Sequence, residues 1–340
     1  MLERLRQPWQ VEALPRPARR GLSKLDSSVT GRVWLELIVL GALWGAVYIL
    51  SGIGLRFLLP PQLVFARVSL AAVVLTPVAI RRHALGSLWR SPRRITGTVL
   101  VQVTIPMLLL TVGQLYVDTS LAGILGSAQP IFLALLAIPF APDQRPNGWI
   151  GVLGILLGFG GLALLFGFNL SVTIHSLLGG LLVLISAVSY AAGAIMIHRR
   201  HGDAQPIGVA SSAMLVSAAV LALPAVLVRS RSAIDLSTLV PAVLLLGVLS
   251  TGAALALFYS LINHVGPARA ALGFYLAPVF AVLFGVVFRH EPVTLSATTG
   301  LVAIVGGSVL AARRRGPGRR ASDEPHLPVG GEPRSDRADR

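Results

Sequence analysis

The sequence predicts an all-α membrane protein of ten transmembrane helices arranged as two inverted five-helix repeats, and three observations carry that prediction. The first is composition: of 340 residues, 54% are hydrophobic and 13% charged, with a mean hydropathy of +0.75, whereas a soluble domain carries about 25% charged residues. The second is that the apolar residues are gathered into runs of about 20, the length that crosses about 30 Å of hydrocarbon as a helix. The third is a recurrence. "PIFLALLAIPFAPD" at 130–143 returns as "PVFAVLFGVVFRHE" at 278–291.

The runs lie at 35–55, 61–80, 97–117, 120–140, 149–168, 177–197, 208–228, 239–262, 268–288 and 294–312. Barrel strands are excluded, because stretches such as "VLGILLGFGGLALLF" lack the strict alternation that spanning strands need. Only Asp118 and Thr119 divide the third run from the fourth. The stretch from Gly97 to Phe140 is too long for one span, so a tight hairpin is expected there.

Sliding one half on the other by 148 positions puts Ala122 on Ala270, Pro130 on Pro278, Phe132 on Phe280, Leu135 on Leu283, Phe140 on Phe288 and Asp143 on Glu291. The match falls at runs four and five of the first half and nine and ten of the second. Five crossings are odd, so a second copy enters the membrane from the opposite side. Such inverted halves enclose a midplane cavity and expose it alternately, the architecture of secondary transporters.

Cations set the orientation, since Lys and Arg near span ends are held on the cytoplasmic side. With the N-terminus inside, 24 of the 29 Lys and Arg residues fall in the tails and inner loops and 4 outside, with Arg67 within the second span. Both termini are therefore expected in the cytoplasm. The net charge of +15 is explained by those tails and loops facing anionic lipid, and nucleic acid is not expected as a partner. The expected organisation is a basic cytoplasmic tail over 1–33, five-helix repeats over 34–170 and 175–312, and a disordered cytoplasmic tail over 313–340, rich in Pro, Gly and charge. The first 32 residues are too charged for an ordinary cleaved signal peptide. With no cysteine, disulfides and thiolate metal ligands are excluded.

Small residues and prolines punctuate the runs. Gly41 with Gly45, and Gly154 with Gly158, have the four-residue spacing that lets helices approach closely, whether as static packing or as surfaces that slide. Pro130 and Pro278 occupy equivalent places, where a missing amide donor and a ring clash bend a helix, so paired bends beside a cavity are expected.

The segments "GALWGAVYILSGIGL", "FARVSLAAVVL", "LYVDTSLAGILGSAQPIF" and the long stretch "LFYSLINHVGPARAALGFYLAPVFAVLFGVVFRHEPVTLSATTGLVAIVGGSVLA" resemble the EamA-type members of the drug/metabolite transporter superfamily, over about residues 33 to 312. The resemblance implies a ten-helix carrier of the bacterial plasma membrane that exports amino acids or other small metabolites. Two departures are visible: Asp143 stands where glutamate is common, and Tyr190-Ala191 where tryptophan-alanine is common. Its partners are then a small-molecule solute and the lipid bilayer, with a homodimer left open; no cofactor or metal is expected.

For the cavity wall, Trp44, Tyr48 and Ser51 share one face of the first span, and Ser186, Tyr190 and Gly193 repeat the spacing in the sixth. Gln114, Gln129, Tyr259 and Tyr275 are further polar positions that must face protein, water or solute, because a bare amide or hydroxyl in hydrocarbon is costly. Arg67 lies about 9 Å inward from the outer end of the second span at 1.5 Å per residue. Snorkelling outward, pairing with Asp118 and meeting a substrate carboxylate all stay open for it. Asp118, Asp143 and Glu291 are read as loop ion pairs or gates, and no acid in the core of a run offers a proton relay. No zinc, nucleophile-elbow or phosphate-loop motif is present, so a transporter is favoured over an enzyme. A lipid-moving protein or a non-transporting scaffold is the alternative.

Overall fold

Large apolar side chains cover the outside of this bundle, the reverse of what water would select, while alanine, serine and threonine share its interior with leucine, isoleucine and valine. The computed structural model describes residues 19–141, 148–167, 173–228, 235–265, 270 and 272–312, and all regular elements among them are helical. In chain order these are α1 (Arg19–Gly54), α2 (Pro60–Arg81), α3 (Pro92–Val99), the π-helical segment π1 (Leu100–Thr104), α4 (Ile105–Gly113), α5 (Thr119–Gly126), α6 (Gln129–Phe140), α7 (Gly148–Gly167) and α8 (Ile174–His201). There follow α9 (Pro206–Leu227), α10 (Leu236–Leu244), the second π-helical segment π2 (Leu245–Ala253), α11 (Ala254–Val265), α12 (Leu272–Arg289) and α13 (Leu295–Ala312). Helix α1 begins at Arg19, well inside the segment expected as a basic tail.

Local chemistry sets the ends. Proline opens α2, α3 and α9, where its missing N–H costs no hydrogen bond and its fixed φ suits the first turn. Thr173 starts α8: its Oγ1 accepts from the Ser176 amide at 3.2 Å while the Ser176 hydroxyl accepts from the Thr173 amide at 3.0 Å. Between α4 and α5 the chain turns in the five residues 114–118, the tight hairpin expected at Asp118.

Among the described residues, eight helical stretches are long and apolar enough to cross a bilayer: Gly31–Gly54, Pro60–Arg81, Pro92–Gly113, Thr119–Phe140, Ile174–His201, Pro206–Leu227, Leu236–Leu261 and Leu272–Arg289. Gly148–Leu164 and Leu295–Ala311 are shorter apolar helices. This is a multi-pass membrane protein. Val226 and Leu295 are 80% and 81% exposed.

Helix α7 packs along α13, α1 along α12, α2 along α9, and α8 against α4, α5 and α6. Glycine permits the closest of these approaches. A Cβ on Gly45 would lie 2.8 Å from the Ala277 carbonyl oxygen of α12, and one on Gly154 would lie 2.7 Å from that of Gly307 in α13. With lipid on the outside there is no hydrophobic drive between helices, so this dispersion contact is what holds the pairs. Two pairs of hydroxyls bond each other across helices: Thr104 with Ser217 at 2.8 Å and Thr76 with Ser211 at 3.0 Å.

Candidate functional site

Four elements converge on Arg67. Helix α2 carries it seven residues in from Pro60, where it is buried, 7% exposed. Its Nε donates to Thr251 Oγ1 at 2.8 Å, and that hydroxyl donates to the Leu246 carbonyl at 2.8 Å. The second bond follows from π2: the wider turn moves backbone donors off the i−4 carbonyls, and the Thr251 hydroxyl serves the oxygen five residues back. Tyr48 of α1 and Tyr190 of α8 stand close enough to Arg67 to interact with it electrostatically. No carboxylate of a described residue lies within ion-pair distance of this guanidinium. The pairing with Asp118 left open by the sequence is not made; Thr251 takes that place.

Tyr48 is held from several sides. Its hydroxyl rests against Gly126 and its ring against Gly123, so α5 presents two glycines to one aromatic. Gln114 Nε2 donates to the Tyr48 carbonyl at 2.9 Å. One turn on, Ser51 is 1% exposed and its Oγ has no partner among the described residues.

Other residues expected at the cavity go elsewhere. Trp44 stacks on Phe274 with ring centroids 4.4 Å apart and tilts against Phe258 at 5.3 Å, part of an aromatic cluster between α1, α11 and α12. Tyr259 lines a separate cavity of about 170 Å³ with Arg82 and Gln205. Tyr275 donates to the Ser308 carbonyl at 3.4 Å. Gln129 and Pro130 open α6 just past a break after Ser127, whose carbonyl accepts from Ser308 Oγ at 3.3 Å. Pro278 lies inside an uninterrupted α12.

The hairpin between α4 and α5 holds a second group of polar residues. Glu291 accepts from the backbone N–H of Thr119 at 3.0 Å and of Ser120 at 2.8 Å, and from the Ser120 hydroxyl. A carboxylate from the connection between α12 and α13 thus caps the N-terminus of α5, where unsatisfied amides and the helix dipole favour negative charge. His290, with φ of +54°, makes the turn that sends Glu291 back toward α5. Asp143, its counterpart in the recurrence, lies outside the described residues. Asp118, Gln114, Tyr116, Thr119, Gly52 and Arg289 line a cavity of about 250 Å³ beside this cap.

Partial burial and the nearby Glu291 carboxylate push the Asp118 carboxyl above its ordinary 3.8, against the pull of Arg289. Between 3.8 and its raised value the folded chain therefore holds more protons than the unfolded chain, so this group's contribution to stability falls as pH rises through that window. Asp118→Asn removes the contribution. The difference in unfolding midpoint, variant minus wild type, is expected to increase as pH rises from 3.8 and then level off; a difference independent of pH would contradict this placement.

Thr251 and Ser120 had no place in the sequence reading of the site. A threonine in an apolar run reads as packing, and a π-helical register has no compositional mark.

Comparison with known proteins agrees with the helical architecture. The EamA-like transporter family model matches residues 32–167 and 177–313. The uncharacterized transporter YvbV of Bacillus subtilis (strain 168) is 27% identical over 81% of this chain and 89% of its own. The uncharacterized inner membrane transporter YedA of Escherichia coli (strain K12) is 29% identical over 81% of this chain and 88% of its own. A solved crystal structure superposes with a TM-score of 0.59 at 21% identity, covering 83% of this chain and 96% of the other, which supports the fold. The resemblance read from the sequence is thus borne out, and the chain belongs to the EamA-like transporter family.

Proposed function

We propose that this protein is a secondary transporter of the bacterial inner membrane that moves small metabolites, amino acids among them, outward by alternating access, with both termini in the cytoplasm. The observation that carries the reading is the buried Arg67 guanidinium, faced by Tyr48 and Tyr190 and without a carboxylate partner among the described residues. An uncompensated cation at membrane depth is costly, and a solute carboxylate arriving there would offset that cost.

Two inverted five-helix halves supply the movement in this reading, with α7 and α13 as the fifth and tenth crossings. Supporting it, residues 148 apart share their surroundings: Ala122 and Ala270 are both 0% exposed, Leu135 and Leu283 40% and 48%, Phe140 and Phe288 54% and 66%. The contacts exchange in the same sense. Helix α1 packs on α12 as α8 packs on α5 and α6, and the pairs α2 with α9 and α7 with α13 map onto themselves. Both π segments also fall at matching places, Leu100–Thr104 corresponding to 248–252.

The test is an untargeted comparison of medium and cell metabolites from bacteria with and without the protein, followed by uptake of the enriched solute into liposomes containing the purified chain. A solute enriched outside the cells and saturating in liposomes is expected. Liposomes that move lipid probes and no solute would replace this reading by a lipid-moving one.

A further inference from the structure

We propose that the cavity at the outer hairpin is a second binding site, distinct from the Arg67 centre, that takes the zwitterionic carboxylate–ammonium head of a small solute. The proposal rests on the carrier reading above and adds a station at the mouth of its path.

Two unpartnered groups of opposite sense occur among the cavity's lining residues. Among the described residues, Arg289 Nη1 is a buried donor with no acceptor, and Gln114 Oε1 is a buried acceptor with no donor. Neither state is an accident of assignment. Gln114 turns its amide nitrogen to the Tyr48 carbonyl, an acceptor, which leaves Oε1 as the free end. No carboxylate of a described residue lies within ion-pair distance of Arg289: Glu291 is engaged on the amides of α5, and Asp118 stands beyond contact while still feeling its charge.

Native proteins seldom leave such groups unpaired without a reason. A ligand that satisfies both must bring an acceptor for a guanidinium and a donor for an amide oxygen. Asp118, exposed at the rim of the same cavity, adds a carboxylate beside that donor. A carboxylate next to an ammonium meets all three with opposite charge on both sides, the carboxylate on Arg289 and the ammonium between Gln114 and Asp118. The volume of about 250 Å³ suits a solute smaller than drug size.

Gly52 leaves the approach open. A Cβ there would lie 3.5 Å from Arg289 Nη1 and 3.7 Å from Thr119 Oγ1, ordinary contact distances that fill the space without forcing the fold apart. Gln114 ties the two sites together, because the Tyr48 it bonds is the residue that faces Arg67.

The experiment uses the full chain in nanodiscs of uncharged lipid and three probes with three carbons each: L-alanine, propionate and propylamine. Binding is read as the shift in unfolding midpoint with probe concentration. Alanine is expected to bind wild type at least about tenfold more tightly than either other probe, as loss of one charge-assisted hydrogen bond predicts. Arg289→Gln and Gly52→Ala are each expected to weaken alanine by about tenfold or more. Asp118→Asn is expected to weaken alanine more than propionate. Should Arg289→Gln fail to fold, Arg289→Lys serves, keeping the charge while losing the planar fork.

No alanine shift in wild type, propionate bound as well as alanine, or unchanged binding in both Arg289→Gln and Gly52→Ala would each overturn the outer site. Arg67→Gln separates the two ideas. If it alone abolishes alanine binding, the outer site falls and the central reading stands; if it transports as wild type does, the central reading falls and the outer site is judged by Arg289.

Discussion

Arg67→Gln, at matched membrane abundance, is expected to weaken the apparent affinity for the carried solute by about 10- to 100-fold, the worth of one or two hydrogen bonds to a charged group. Glutamine sets a polar amide where Arg67 Nε stands, beside Thr251, and removes the cation, so the fold tolerates it better than a truncation. The neighbouring hydroxyl offers the control. Thr251→Val is nearly isosteric, yet it takes away the acceptor of Arg67 Nε and the donor to the Leu246 carbonyl together. It is expected to cost about 1–3 kcal/mol of stability, the range for leaving a buried polar group unsatisfied. Thr251→Ser keeps the oxygen and is expected to restore both stability and transport. Solute flux into liposomes and the unfolding midpoint measure the two effects separately. Wild-type flux in Arg67→Gln would remove the guanidinium from the transport path.

The sequence made the solvent of this fold legible because hydropathy accumulates over some 20 residues and needs no tertiary information. It also placed Arg67, Tyr48 and Tyr190 among the candidates, since a cation and phenols in apolar runs stand out singly. Which of the candidates meet was another matter. Trp44 and Tyr48 have the same helical spacing that put both on one face of α1, but one stacks on Phe274 and the other lies against Gly123 and Gly126. That divergence is decided by α5 and α12, elements more than 70 residues away in the chain. Thr251 was illegible for a different reason: its role follows from the π-helical turn that displaces the Leu246 carbonyl, and neither propensity nor period reports a turn of that width. Glu291 was seen as a carboxylate of consequence, while its partners, two backbone amides, carry no sequence identity at all.

Those amides make Glu291→Ala the variant with the largest expected loss of stability, about 2–4 kcal/mol. The figure combines an N-cap worth about 1 kcal/mol with charge-assisted bonds of about 1.5–3 kcal/mol. Removing the carboxylate strips acceptors from the Thr119 and Ser120 amides and leaves the positive end of α5 unopposed. Glu291→Gln returns one acceptor oxygen without charge, and its amide nitrogen faces donors, so it is expected to recover less than half of the loss. The consequence reaches past stability. Helix α5 holds Tyr48 through Gly123 and Gly126, so a cap supplied from the α12–α13 connection positions the phenol that faces Arg67. Transport per folded molecule is therefore expected to fall in Glu291→Ala, beyond the loss of abundance. An unfolding midpoint and a flux both equal to wild type would show that α5 needs no carboxylate at its start. Since Glu291 also helps raise the Asp118 carboxyl, its removal should narrow the pH window over which Asp118 affects stability, a second readout that mere loosening of the loop would not produce.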